Sequence, residues 1–114
     1  MTVKQINEEA EEVDTNLCPR FEKTFEFLGK KWNGLIIDVL LKNETARFKD
    51  IAHYVSKCSD RVIVERLKEL ENEGLVNRKE YEDKPLIEYS LTQRGRELAP
   101  AIQEIHAWAE KWYK

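Results

Sequence analysis

Residues 59–91 read SDRVIVERLKELENEGLVNRKEYEDKPLIEYSL, and a change of hydrophobic period inside them decides the fold. As far as Gly74 the apolar positions are Ile63, Leu67 and Leu70, one stripe at helical spacing. Ser59 is a good N-cap, because its hydroxyl oxygen can accept an orphan backbone N–H, and Gly74 is a natural stop. Beyond Gly74 the period drops to that of a strand. Leu75 to Tyr81 reads as one strand, and Ile87, Tyr89 and Leu91 alternate on one face of a second. Glu82-Asp83-Lys84-Pro85 joins them, so a β-hairpin follows the helix directly.

Working outward, ARFKDIAHYV places Phe48, Ile51, Ala52 and Val55 on one side of a short helix. The turn Ser56-Lys57-Cys58 links it to the helix after Ser59. Two helices across a tight turn make a helix-turn-helix, and the hairpin after the second is a wing. Cys58 and Ile63 occupy the positions that form a hydrophobic staple around that N-cap. Upstream, Lys31-Trp32-Asn33-Gly34 leads into LIIDVLL, apolar nearly all round and hence the buried central helix. Phe21, Phe25 and Leu28 form an earlier stripe, started by Cys18-Pro19 and stopped by Gly29. Thr92 caps a final helix carrying Leu98, Ile102, Ile105, Trp108, Ala109 and Trp112, with Pro100 expected to kink or restart it.

The fold class is therefore mainly α with a small β-hairpin wing (α+β), a winged helix-turn-helix. At 114 residues the chain is read as one such domain over residues 17–114, after an acidic, flexible segment at 1–16. Its core is small, so long apolar helices at its ends are better buried against a second copy than left in water. Phe21, Phe25, Ile102, Ile105, Trp108 and Trp112 are the candidate dimer-interface residues.

Composition excludes several classes. Hydrophobic and charged shares of 41% and 36% suit a soluble globular protein, and no stretch is apolar enough to span a membrane. The first residues lack a basic start followed by an apolar run, so cytoplasmic residence is expected. Glu8, Glu9, Glu11, Glu12 and Asp14 stand against Lys4 alone near the N-terminus, a local net of -4 within an overall -3. The remainder carries only +1, so any DNA affinity must come from local placement of Lys and Arg. Cys18, Cys58, His53 and His106 lack paired ligand spacing, and neither metal nor cofactor is expected. Both histidines lack acidic partners at catalytic spacing in the sequence. With no visible base, oxyanion donor or CxxC, the chain is not read as an enzyme.

In the second helix of the motif, Ser59, Asp60, Arg61, Val64, Glu65 and Lys68 lie off the apolar stripe. On an arbitrary helix this would be a solvated face; after a helix-turn-helix turn it is the face that reads DNA. Arg61 suits guanine or phosphate, Val64 a thymine methyl and Ser59 a phosphate. Asp60 and Glu65 would repel phosphates unless they face base edges or pair with Arg61 and Lys68. Lys84 at the wing tip, Arg78 and Lys79 on its strand, and Arg47 and Lys49 on the first motif helix complete a footprint. Lys30 and Lys31 could add to it. A winged-helix module that binds protein instead of DNA is the alternative.

Cys18 begins a helix, where unpaired N–H groups and the dipole favour a thiolate, with Arg20 close by. Position alone leaves it open between a reactive thiol and an inert buried one. Cys58, flanked by Lys57 and Arg61, is either a packing residue, the favoured reading, or a disulfide partner for Cys18 of a second copy.

LCPRFEKTFEFLGKKWNGLIIDVLL, RFKDI, RLKELENEGLV and IEYSLTQRGREL with a later Trp together resemble the HxlR branch of MarR-like regulators. The resemblance runs from Cys18 to Trp112, and Cys18-Pro19-Arg20 with Lys31-Trp32-Asn33-Gly34-Leu35-Ile36 is similar to its quinone- and oxidant-sensing members. It implies a homodimeric repressor, joined through its terminal helices, on double-stranded DNA with a pseudo-palindromic operator. It also implies release when a small electrophile or oxidant modifies Cys18. The chain departs from the family at Cys58, where Ile is frequent, and it has no cysteine near Trp112-Tyr113-Lys114. That leaves direct alkylation of Cys18 or a bridge to Cys58.

Overall fold

The computed structural model describes residues 12–114. The expected flexible segment lies outside them up to residue 11, and residues 12–18 form neither helix nor strand. The elements are α1 (Pro19–Leu28), α2 (Asn33–Lys42), α3 (Phe48–Tyr54), α4 (Asp60–Asn72), β1 (Val76–Glu80), β2 (Ile87–Leu91), α5 (Gln93–Arg96) and α6 (Ala99–Trp112). This is the winged helix-turn-helix read from the sequence.

Helix α2 is the centre, with Ile36, Ile37, Val39 and Leu40 buried in succession. Against it pack Ile51 of α3, Ile63, Leu67 and Leu70 of α4, and Val76 and Leu91 at the base of the hairpin. A continuous apolar cluster of this kind supplies the main drive for folding. Trp32 precedes α2 at φ 84°, a left-handed conformation, with the Lys31 ammonium 4.8 Å from its ring centre.

Helix α4 ends as its sequence requires. Gly74 takes φ 77°, Leu75 N–H donates to Leu70 C=O at 2.9 Å, and Gly74 N–H donates to Glu71 C=O at 3.0 Å. These two bonds make a Schellman cap, closed by the buried side chains of Leu70 and Leu75. The chain then enters the antiparallel hairpin, pairing Val76 with Leu91, Arg78 with Tyr89 and Glu80 with Ile87. Of the alternating face on β2, only Leu91 is buried; Tyr89 is half-buried and Ile87 exposed, because the hairpin projects from the body.

Two features differ from the sequence reading. Ala46 exchanges both backbone hydrogen bonds with Tyr89, at 2.9 and 2.8 Å, adding a one-residue third strand that ties the wing to the entrance of α3. Thr92 caps only the four-residue α5, and the long helix restarts at Ala99 with Pro100 in its first turn. Pro100 fits there because first-turn N–H groups have no helical partner.

Candidate nucleic-acid interface and thiol site

Helix α3 begins with the Asp50 carboxylate accepting from Arg47 N–H at 3.1 Å, which leaves the Arg47 and Lys49 side chains in solvent. Across the turn, Ser59 Oγ accepts from Val62 N–H at 3.3 Å. Its own O–H remains free to donate. The outer face of α4 carries Asp60, Arg61, Val64, Glu65 and Lys68, all exposed, while Ile63 and Leu67 point into the core. Glu65 lies 3.8 Å from the Arg61 guanidinium, one turn away. Both groups are solvated, so this pair is weak and the guanidinium can exchange it for phosphate or base.

A cleft of about 390 Å³ separates α4 from the hairpin, lined by Val64, Leu67, Lys68, Glu71, Arg78 and Tyr89. Arg78 is held on the strand by Glu80 at 2.6 Å, and that contact raises its pKa further. Lys79 and Lys84 both hold their ammonium groups over the Tyr81 ring, at 4.8 and 4.9 Å. They put two ammonium groups on the wing, among the carboxylates of Glu80, Glu82, Asp83 and Glu88, while Arg78 is the hairpin cation that lines the cleft with α4. Lys30 is engaged elsewhere, 2.9 Å from Glu69.

The two cysteines occupy opposite environments. Cys18 is exposed and is the N-cap of α1. The nearby backbone N–H groups of Phe21 and then Arg20 lower its thiol pKa against a smaller opposing effect of burial, with the Arg20 side chain a lesser contribution. Cys58 is buried in the core with Ile63, and burial raises its pKa against the weaker pull of Arg66 and Lys31.

Around the thiol helix, Phe21 and Phe25 are exposed and pack against each other with ring centres 4.9 Å apart and planes tilted by 53°. Ile105, Trp108 and Trp112 are likewise exposed on α6. Ile102, grouped with them in the sequence reading, instead fills the chain's own core, because the first turns of α6 lie against the body.

A cluster that the sequence reading missed surrounds Asp38. His106 does have an acidic partner: its Nε2 lies 2.8 Å from Asp38 Oδ1, contributed by a residue 68 positions earlier. Tyr54 O–H donates to Asp38 Oδ2 at 2.7 Å, and Lys42 Nζ lies 3.4 Å from the same oxygen. The one local signal was Asp38 itself, a lone charge within LIIDVLL.

This arrangement, a helix-turn-helix whose second helix is capped, exposes a polar face and is followed directly by a two-stranded hairpin, defines the winged-helix class of DNA-binding domains. Residues 27–114 match the HxlR-like helix-turn-helix family, and the chain belongs to it. It is 48% identical over 99 residues to the HTH-type transcriptional regulator YvaP of Bacillus subtilis, covering 86% of this chain and 91% of that one. It is 41% identical to YodB of the same organism over 97 residues, 84% of this chain and 86% of YodB. The reduced form of YodB superposes with a TM-score of 0.74 at 40% identity, covering 87% of this chain and 97% of that one. A quinone-bound YodB structure is also similar, with a TM-score of 0.72 at 42% identity, covering 84% and 100%. The redox regulator HypR in its oxidised form gives 0.77 at 32% identity, covering 85% and 99%. The chain is thus a helix-turn-helix transcriptional regulator, and no helix among the described residues is long and apolar enough to cross a membrane.

Proposed function

We propose that two copies of this chain form a cytoplasmic repressor that reads a pseudo-palindromic operator and is released by modification of Cys18. One observation carries the DNA reading: Val64 and Lys68 on the outer face of α4 share a cleft with Arg78 of the hairpin, and Arg61 is exposed on the same helix face. Arg61 and Val64 are the base readers, while Ser59, Arg47, Lys49, Lys68, Lys79 and Lys84 hold phosphates. Glu65 makes only a weak, solvated contact with Arg61, which DNA can replace. Half-sites read by two copies lie about 34–36 Å apart.

Cys18 is the sensor because its thiol is exposed and its thiolate is stabilised by helix N–H groups. A quinone is attacked at a ring carbon by Cys18 Sγ. The C–S bond forms, and the π pair moves onto one quinone oxygen, which takes a proton from water. The attacked ring carbon then gives up its hydrogen as a proton while the second carbonyl oxygen gains one, leaving an aromatic hydroquinone thioether. Cys58, buried and with a raised pKa, acts as packing. YodB, a relative, has a solved quinone-bound form, which favours the same chemistry here.

The decisive test starts with duplexes selected from a random library by the wild-type protein. Affinity should fall steeply with salt and with Arg61→Ala, and benzoquinone should release wild type but not Cys18→Ser. Binding that ignores salt would favour a protein partner over DNA. Equal release of both proteins would remove Cys18 from the mechanism.

A further inference from the structure

Three helices meet at Asp38. It stands in α2 among apolar neighbours and is only 6% exposed. Each carboxylate oxygen serves a different element. Oδ2 accepts from Tyr54 of α3 at 2.7 Å, and Oδ1 meets His106 of α6 at 2.8 Å. Lys42, one turn along α2, closes the group by donating to Tyr54 Oη at 3.0 Å while lying 3.4 Å from Asp38.

The attachment of α6 makes this contact matter. Ile102 is the buried residue of that helix. Among the described residues, His106 makes the only side-chain hydrogen bond or ion pair from α6 to another element. Open clefts of about 320 and 240 Å³ flank the pair, one lined by Phe25, Leu28, Leu35 and Ile105, the other by Leu41 and Gln103. Beyond His106 the large side chains Trp108 and Trp112 face outward. The far half of α6 is therefore positioned by one polar contact more than by packing.

We propose that Asp38 is a positioning residue for operator binding, a latch that holds the terminal helix and the first helix of the helix-turn-helix in one fixed relation. This rests on α6 forming the dimer, as proposed above, since the latch then sets the angle between the dimer axis and each reading head. A buried carboxylate deprived of one partner is penalised, so the latched arrangement is strongly preferred over a pivoted one. Sharing of one carboxylate by Tyr54 and His106 gives the two helices a common constraint.

The test combines operator affinity with amide exchange in the DNA-free protein. Loss of a hydrogen bond to a charged group corresponds to about tenfold, so His106→Leu should weaken operator binding and speed exchange over residues 103–109 by about that factor. His106→Gln, which keeps a neutral donor, should recover most of both. Tyr54→Phe should be non-additive with His106→Leu, as expected for partners of one group and not for two independent packing defects. The latch is overturned if His106→Leu leaves exchange unchanged, or if the two substitutions simply add. Should wild type select no duplex, the regulator reading fails, while the exchange measurement still decides the latch.

Discussion

Cys18 and Cys58 show how one residue type acquires two chemistries within a single chain. At the start of α1 the thiol faces N–H groups that have no helical partner, and its thiolate is favoured. Inside the core the same group meets apolar side chains, and the thiol form is favoured. Iodoacetamide at neutral pH should therefore label Cys18 faster than Cys58 by at least about tenfold, read by mass spectrometry of the digested protein. Because the thiolate persists below the usual cysteine range, labelling of Cys18 should decline only at lower pH. Arg20→Ala should change this little, since the Phe21 N–H is the larger influence. A reversed order of labelling would contradict the assignment.

Asp38 belongs to the same scale. Burial alone would raise its pKa, but hydrogen bonds from His106 and Tyr54, with the charges of His106 and Lys42, outweigh burial and lower it. A carboxyl lowered by folding contributes stability that is present above the ordinary aspartate value of about 4 and lost as pH falls through the folded value. Urea midpoints followed downward from pH 6 should fall more steeply for wild type than for Asp38→Asn. Parallel curves would show that the carboxylate contributes nothing.

At the scale of elements, the sequence was most informative where the cause of structure is local. The cap at Ser59, the stop at Gly74 and the stripe Ile63-Leu67-Leu70 all act within one turn or two, and α4 has the bounds they imply. The Ala46–Tyr89 bridge and the Asp38–His106 contact join residues 43 and 68 positions apart, where no periodicity records the pairing. The division of the final helix into α5 and α6 was half legible: Pro100 signalled a restart, but the close packing of Gly95 did not show. A Cβ at Gly95 would collide with the Leu75 carbonyl oxygen, while Thr92 Oγ1 accepts from Gly95 N–H at 3.1 Å. Gly95→Ala should accordingly cost about 1–3 kcal/mol by urea denaturation, as overpacking of a tight contact does. A loss below a few tenths would mean that the hairpin base yields freely.

At the scale of the molecule, the unexplained quantity is apolar surface. Phe21, Trp108 and Trp112 are 66%, 56% and 63% exposed, the first on the helix that carries the thiol and the others on α6. Isolated exposed aromatics are ordinary, but a set shared by α1 and α6 is the surface expected of an interface. If a second copy covers it, the two reading heads are tethered and each half-site raises the effective concentration at the other. Trp108→Glu places a charge within that surface and leaves the protomer core untouched, since Trp108 is not part of it. The variant should keep the helical spectrum of wild type yet sediment as a monomer. Its affinity for a full palindrome should fall by about a hundredfold or more, while binding to an isolated half-site stays within about twofold. A variant that remained dimeric would move the interface away from α6. A monomer that bound the palindrome as tightly as wild type would break the link between assembly and reading, and with it the route by which Cys18, at the foot of α1, could act on DNA.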